Sequence, residues 1–182
     1  MTRLRTRIVG RPYPKVDAAA KVTGQTKFAD DLFLPRMLHC KLLRSKVAHA
    51  KLLRVEASKA LALPGVVAVA TGVDLPVTFG ILPVSQDEHA LATDRVRYVG
   101  DPVAAVAAVD EATAFEALDR IEVEYEPLPA IGSIEDALAL PETRIHDYGD
   151  GGNFHKLVSM EFGDTERGFA DADRVYEDLL FY

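Results

Sequence analysis

Residues 97–109 read RYVGDPVAAVAAV. Val99-Gly100-Asp101-Pro102 is a turn signal, and from Pro102 to Val109 no polar residue interrupts the run. A short apolar run entered through a turn fits a strand covered on both faces. Asp110 then supplies an N-cap for a helix over 111–120, with Glu111 in the first turn, where the helix dipole favours an acid. Ala114, Leu118 and Ile121 recur at i, i+4 and i+7 with Phe115 beside them, forming one apolar stripe. A strand over 121–125 follows almost without a loop. The segment therefore reads strand, helix, strand.

The same order recurs upstream. A strand over 50–55 leads to a short helix over 56–63, stopped by Pro64-Gly65, and then to VVAVA at 66–70, a β-branched buried strand. The echo is one of element order, not of residues, so no sequence repeat is inferred. A strand over 37–44 precedes these two units and carries Cys40, read as an inert buried thiol. Residues 27–29 and 95–99 read as short strands. The sum is an α+β domain with two β-α-β units.

The flanks differ from this core. Residues 1–23, with separated arginines and Pro12 and Pro14, read as an arm that is either laid on a partner or frayed. Pro127 and Pro129 mark the exit from the compact unit, and Ser133 caps a short helix over 134–138. Gly149-Asp150-Gly151-Gly152-Asn153 has neither a Walker lysine nor a calcium-loop order and reads as a mobile connection. Residues 156–162 and 174–181 read as two strands around a helix over 165–170. The last of them is apolar, runs to the end of the sequence and needs neighbours from elsewhere.

Composition narrows the class. The 182 residues are 48% hydrophobic and 27% charged, ordinary for a globular protein. Apolar runs fall well short of the roughly 20 residues of a membrane span, and the basic N-terminus lacks the apolar segment of a secretion signal. One cysteine forms no internal disulfide, which points to a reducing, cytoplasmic setting. The net charge of −7 is uneven: residues 1–54 hold 13 Lys/Arg against 3 Asp, and residues 55–182 hold 8 against 25 Asp/Glu. Either the basic part faces an anionic ligand or acidic partner, or the two parts pack together and neutralise each other. Nucleic acid is not expected, because the basic residues lack interleaved aromatics for stacking.

Self-contained chemistry is not legible. The five histidines show no metal-binding spacing, and a single cysteine excludes a zinc ribbon or an iron–sulfur site. There is no nucleophile elbow, dinucleotide fingerprint or P-loop. Asp30-Asp31 and Asp87-Glu88-His89 read as polar turns, and His49 as a packed or capping group.

Several stretches, in this order and spacing, carry a resemblance. They are Gly24 with Phe28-Ala29-Asp30-Asp31; Arg44-Ser45 with Ala48-His49-Ala50; Leu63-Pro64-Gly65-Val66; Val96 through Ala104; Val123-Glu124-Tyr125-Glu126-Pro127-Leu128; Gly163-Asp164; and Phe169-Ala170-Asp171-Ala172-Asp173. Over residues 15–182 the chain resembles the N-terminal region of the molybdenum-binding large subunit of the xanthine dehydrogenase/aldehyde oxidase family. The resemblance implies an arm at 1–23, an α/β-hammerhead domain at 24–130, and a connection with the first strands of a truncated molybdopterin-binding domain at 131–182. It implies molybdenum on molybdopterin cytosine dinucleotide in the complete subunit, and 2Fe-2S, 4Fe-4S and FAD in partner subunits. The expected partners are the remainder of the molybdenum-binding subunit, an iron–sulfur subunit and an FAD subunit.

The family's pterin contacts and active-site glutamate lie beyond the end of this chain. No catalytic, cofactor-binding or metal residue is therefore carried over, and the chain alone is expected to be inactive and to bind no cofactor. The turn Gly100-Asp101-Pro102 either lines an approach to the cofactor or is structural. Two positions depart from the family pattern: Lys46 where proline is frequent after Arg-Ser, and Asp101 where glutamine is frequent after Val-Gly. With Phe79–Ala92, FGILPVSQDEHALA, they resemble the large subunit of 4-hydroxybenzoyl-CoA reductase, which implies reductive dehydroxylation of an aromatic CoA thioester. The alternatives are a xanthine, aldehyde or CO dehydrogenase-type subunit, or a non-catalytic assembly module.

Overall fold

Burial along the run at 102–108 alternates around a fully covered centre: Val103, Ala104, Val106 and Ala108 have no exposed surface. The computed structural model describes residues 7–81, 86–147 and 151–180. In chain order its elements are helix α1 (Ala18–Val22), strands β1 (His39–Arg44) and β2 (Ala50–Glu56), helix α2 (Ser58–Leu61) and strand β3 (Val66–Thr71). Then come the short strands β4 (Thr78–Phe79), β5 (Glu88–His89) and β6 (Arg95–Val96), strand β7 (Pro102–Ala108), helix α3 (Glu111–Leu118), strand β8 (Glu122–Pro127), and helices α4 (Ile134–Ala139) and α5 (Thr165–Ala170).

Pairing is antiparallel throughout these strands. One sheet has the order β1-β7-β3 and the other β6-β2-β8, with β4 and β5 as a separate pair. Each strand-helix-strand unit crosses between sheets: β2 and β3 lie in different sheets, and so do β7 and β8. The two units are thus interlocked, each contributing one strand to each sheet. Strand β7 belongs to both halves of the core. Its Ala104 and Val106 join Ala60, Ala117 and Ile121, while its Val103 joins Ala50, Ala92 and Val96. Alanine dominates because helix and sheet approach closely; a one-carbon side chain is what fits between them. Helix α3 starts where its sequence says, with the Asp110 carboxylate accepting the Thr113 N–H at 2.7 Å.

Several expectations are corrected. Residues 27–29 form no strand; Ala29–Asp31 is a 3-10 turn, because the Asp31 carboxylate accepts the Phe28 N–H and closes it. The strand expected at 95–99 stops at Val96, where the chain turns. Cys40 is exposed, not buried: β1 is an edge strand whose alternation turns Cys40 outward. Phe115 is also exposed, and the Lys41 ammonium sits 5.0 Å from its ring centre; Ala117 takes the buried place instead. The arm contains one helical turn, α1. Residues 156–162 and 174–180 form no ladder, since among the described residues no strand lies beside them. Leu157, Phe162 and Leu180 are each 83% exposed. Phe181 and Tyr182, Arg3 and Arg5, Leu82–Ser85 and Gly149-Asp150 lie outside the described residues.

Candidate functional site

The sequence singles out Gly100-Asp101-Pro102, and the fold gives every backbone polar group of that turn a partner. The Gly100 N–H donates to Ser45 O at 2.8 Å, and the Ser45 N–H donates back to Asp101 O at 2.8 Å. The Arg44 guanidinium donates to Gly100 O at 2.8 Å. The Asp101 N–H reaches Tyr98 O at 3.2 Å, and Pro102 O accepts from the Ala92 N–H at 2.7 Å. Gly100 has φ +100°, a left-handed conformation that only glycine adopts without strain. The turn therefore stitches the β1–β2 loop to the entry of β7, and no backbone N–H in it is left for a ligand.

The Asp101 side chain faces inward and accepts the Arg97 N–H at 2.9 Å. Burial raises its pKa, opposed by that hydrogen bond and by the charges of Arg97 and His146. Burial likewise raises the Tyr125 phenol, with the Ser45 hydroxyl opposing and the Asp101 charge adding. His49 is 7% exposed. Its Nδ1–H donates to Pro129 O at 2.8 Å, and its carbonyl accepts the Leu128 N–H at 2.9 Å. It packs and pins the chain leaving β8, as a capping group does. It also borders a groove of about 310 Å³ with Lys51, Arg95, Glu142, Arg144 and Asp147.

Sequence reading missed the network beyond that exit. Asn153, in the stretch read as mobile, is the hub of three hydrogen bonds. Its Oδ1 accepts the Ile145 N–H at 3.0 Å, and its amide donates to Ala137 O at 3.2 Å and Thr143 O at 2.9 Å. The Arg97 guanidinium holds Ile145 O at 3.0 Å, His146 Nδ1 lies 2.9 Å from the Asp87 carboxylate, and Arg95 pairs with Asp147 at 3.0 Å. An asparagine among glycines is a sequence signal of a bonded turn; the partners are distant in sequence and give none. Ion pairs also join the basic and acidic parts of the chain: Lys41 to Glu111 at 2.9 Å and Lys51 to Glu126 at 2.7 Å. The two parts pack together.

Among the described residues no group of three His, Cys, Asp or Glu is arranged to hold a metal ion, and in the 310 Å³ groove Lys51 pairs with Glu126 and Arg95 with Asp147. No helix among them is long and apolar enough to cross a membrane.

Both the sequence and the fold of this chain are shared with known proteins. The family described as "Aldehyde oxidase and xanthine dehydrogenase, a/b hammerhead domain" matches residues 23–129. A probable xanthine dehydrogenase component of Bacillus subtilis (strain 168) is 44% identical over 164 residues, covering 89% of this chain and 21% of that protein. The nicotinate dehydrogenase large molybdopterin subunit of Eubacterium barkeri is 40% identical over 173 residues, covering 94% and 40%. Among solved structures, the aldehyde oxidoreductase of Desulfovibrio gigas superposes with a TM-score of 0.70 at 31% identity, covering 88% of this chain and 19% of that one. The chain thus spans about a fifth to two fifths of the length of these proteins.

Proposed function

The chain belongs to the aldehyde oxidase and xanthine dehydrogenase family through its a/b hammerhead domain, and from that premise we propose that it is the hammerhead portion of the large subunit of a molybdopterin-dependent oxidoreductase. The carrying observation is a coincidence of ranges. The family match, 23–129, spans both interlocked sheets, from β1 at His39 to β8 at Pro127. On this reading residues 1–23 are an arm, 24–130 are the scaffold, and 131–182 lead toward the molybdopterin-binding part. The scaffold holds no redox group; molybdopterin cytosine dinucleotide is bound by the remainder of the subunit, and 2Fe-2S, 4Fe-4S and FAD by partner subunits in the cytoplasm. The turn Gly100-Asp101-Pro102 shapes the surface facing that remainder.

The substrate class follows the relatives. Their names mention xanthine and nicotinate, both nitrogen heteroaromatics, and this supports oxidation of such a ring. The narrower reading, reductive dehydroxylation of 4-hydroxybenzoyl-CoA, rests on Lys46, Asp101 and the stretch at 79–92. Asp101 lends it little, since its carboxylate is used inside the turn. The test is turnover by the assembly purified from its native host. Oxidation of a purine or nicotinate with an electron acceptor supports the first substrate class. Loss of the phenolic hydroxyl from 4-hydroxybenzoyl-CoA with a reductant supports the second. An assembly lacking molybdenum contradicts both.

A further inference from the structure

The ion pairs that join the basic and acidic parts of the chain draw on cations from residue 41 onward: Lys41, Lys51 and Lys59 reach Glu111, Glu126 and Glu122. The leading segment, residues 10–38, is left over. It holds five Lys/Arg against three Asp, and its ion pair Lys21–Asp17 is internal. Arg11, Lys15, Lys27 and Arg36 are exposed, and among the described residues none of them enters an ion pair or a side-chain hydrogen bond. Tyr13, Val16, Phe28 and Phe33 stand exposed between them. The segment is shaped locally by α1, by the turn that Asp31 closes, and by the Met37 N–H on Leu34 O at 3.0 Å.

The trailing segment, residues 156–180, carries the opposite charge in the same setting, with seven Asp/Glu against three Lys/Arg. Glu161, Glu166 and Asp173 are exposed and enter no ion pair, beside exposed Leu157, Phe162 and Tyr176. Apolar side chains edged by charge are the make-up of an interface. Within one copy both segments stay exposed, and among the described residues no hydrogen bond or ion pair joins them. Between two copies a two-fold axis makes both contacts at once. Like charges exclude leading on leading and trailing on trailing. We propose that residues 10–38 dock on residues 156–180 of a second copy, and that copy's residues 10–38 on the first, giving a reciprocal, salt-sensitive dimer. The inference stands apart from the proposed function, since it needs no cofactor and no other subunit.

Sedimentation of the 182-residue chain tests it. A dimer is expected at about 50 mM salt, with a dissociation constant about tenfold higher at about 500 mM, where charges at an interface rim are screened. Arg11→Glu, Lys15→Glu and Lys27→Glu together set acid against acid in both contacts. Glu161→Lys, Glu166→Lys and Asp173→Lys together set base against base. Each triple variant alone is expected to be monomeric. Their equimolar mixture is expected to form a heterodimer, because one contact is then fully reversed and the other is the parent's. Rescue by mixing also shows that both variants are folded. A parent chain that is monomeric at low salt, a triple variant that dimerises alone as the parent does, or a mixture that stays monomeric overturns the proposal.

Discussion

Among the described glycines, Gly72 is the one least able to accept an added carbon. A Cβ built there would lie 2.3 Å from Ala92 O, which is backbone and cannot swing away. Gly72→Ala is therefore expected to destabilise the domain by about 1–3 kcal/mol, a loss readable as a lower midpoint in urea with an unchanged slope. Asp101 makes a prediction of the opposite sign. Burial raises its pKa, so the charged carboxylate costs stability above the unfolded-state pKa, and that cost is relieved as pH falls through the folded pKa. Asp101→Asn retains an oxygen acceptor for the Arg97 N–H without the charge. Its melting temperature is expected to match the parent near pH 3 and to exceed it near pH 7, about three units above the ordinary aspartate value. A variant less stable than the parent at neutral pH contradicts this. Single residues are also where sequence reading is weakest. Nothing in HCKLLR says which of its alternating faces meets the core, and Cys40 is exposed because the strand turns it to the outer face.

At the scale of elements, legibility follows local information. The turn-bounded run at 102–108, the aspartate at 110 and the proline-glycine stop at 64–65 each act within a few residues, and β7, α3 and β3 stand where those signals put them. Which strands pair is non-local, and only the structure gives the crossing of each unit between two antiparallel sheets. The stretches at 156–162 and 174–180 have the composition of strands but no ladder, because a strand needs a neighbour to bond. Since β7 feeds both halves of the core, truncation there should be felt through the whole domain. Val106→Ala removes two buried methyl groups with no surface to relax into, and about 2 kcal/mol of stability should go with them. Hydrogen exchange would show β2 and β8 of the second sheet losing protection together with β1, β3 and β7; loss confined to β1, β3 and β7 contradicts the sharing of one core.

At the scale of the molecule, the hammerhead fold could be read from the sequence because its motifs are numerous and ordered, each weak alone. The polar partners were not legible, because they lie far apart in sequence. Asp101, Arg97, Ser45 and Asn153 all serve the scaffold, and the basic and acidic parts of the chain are joined by ion pairs such as Lys41–Glu111. Under the proposed function, labour is divided: this region gives shape, and polypeptide outside residues 1–182 holds the metal. Elemental analysis of the assembly captured from its native host through a tag on this chain tests that division most directly, alongside the 182-residue chain expressed alone in the same host. About one molybdenum per large subunit is expected in the assembly, and none retained by the chain alone. Stoichiometric molybdenum on the chain alone, or an active assembly without molybdenum, would contradict it.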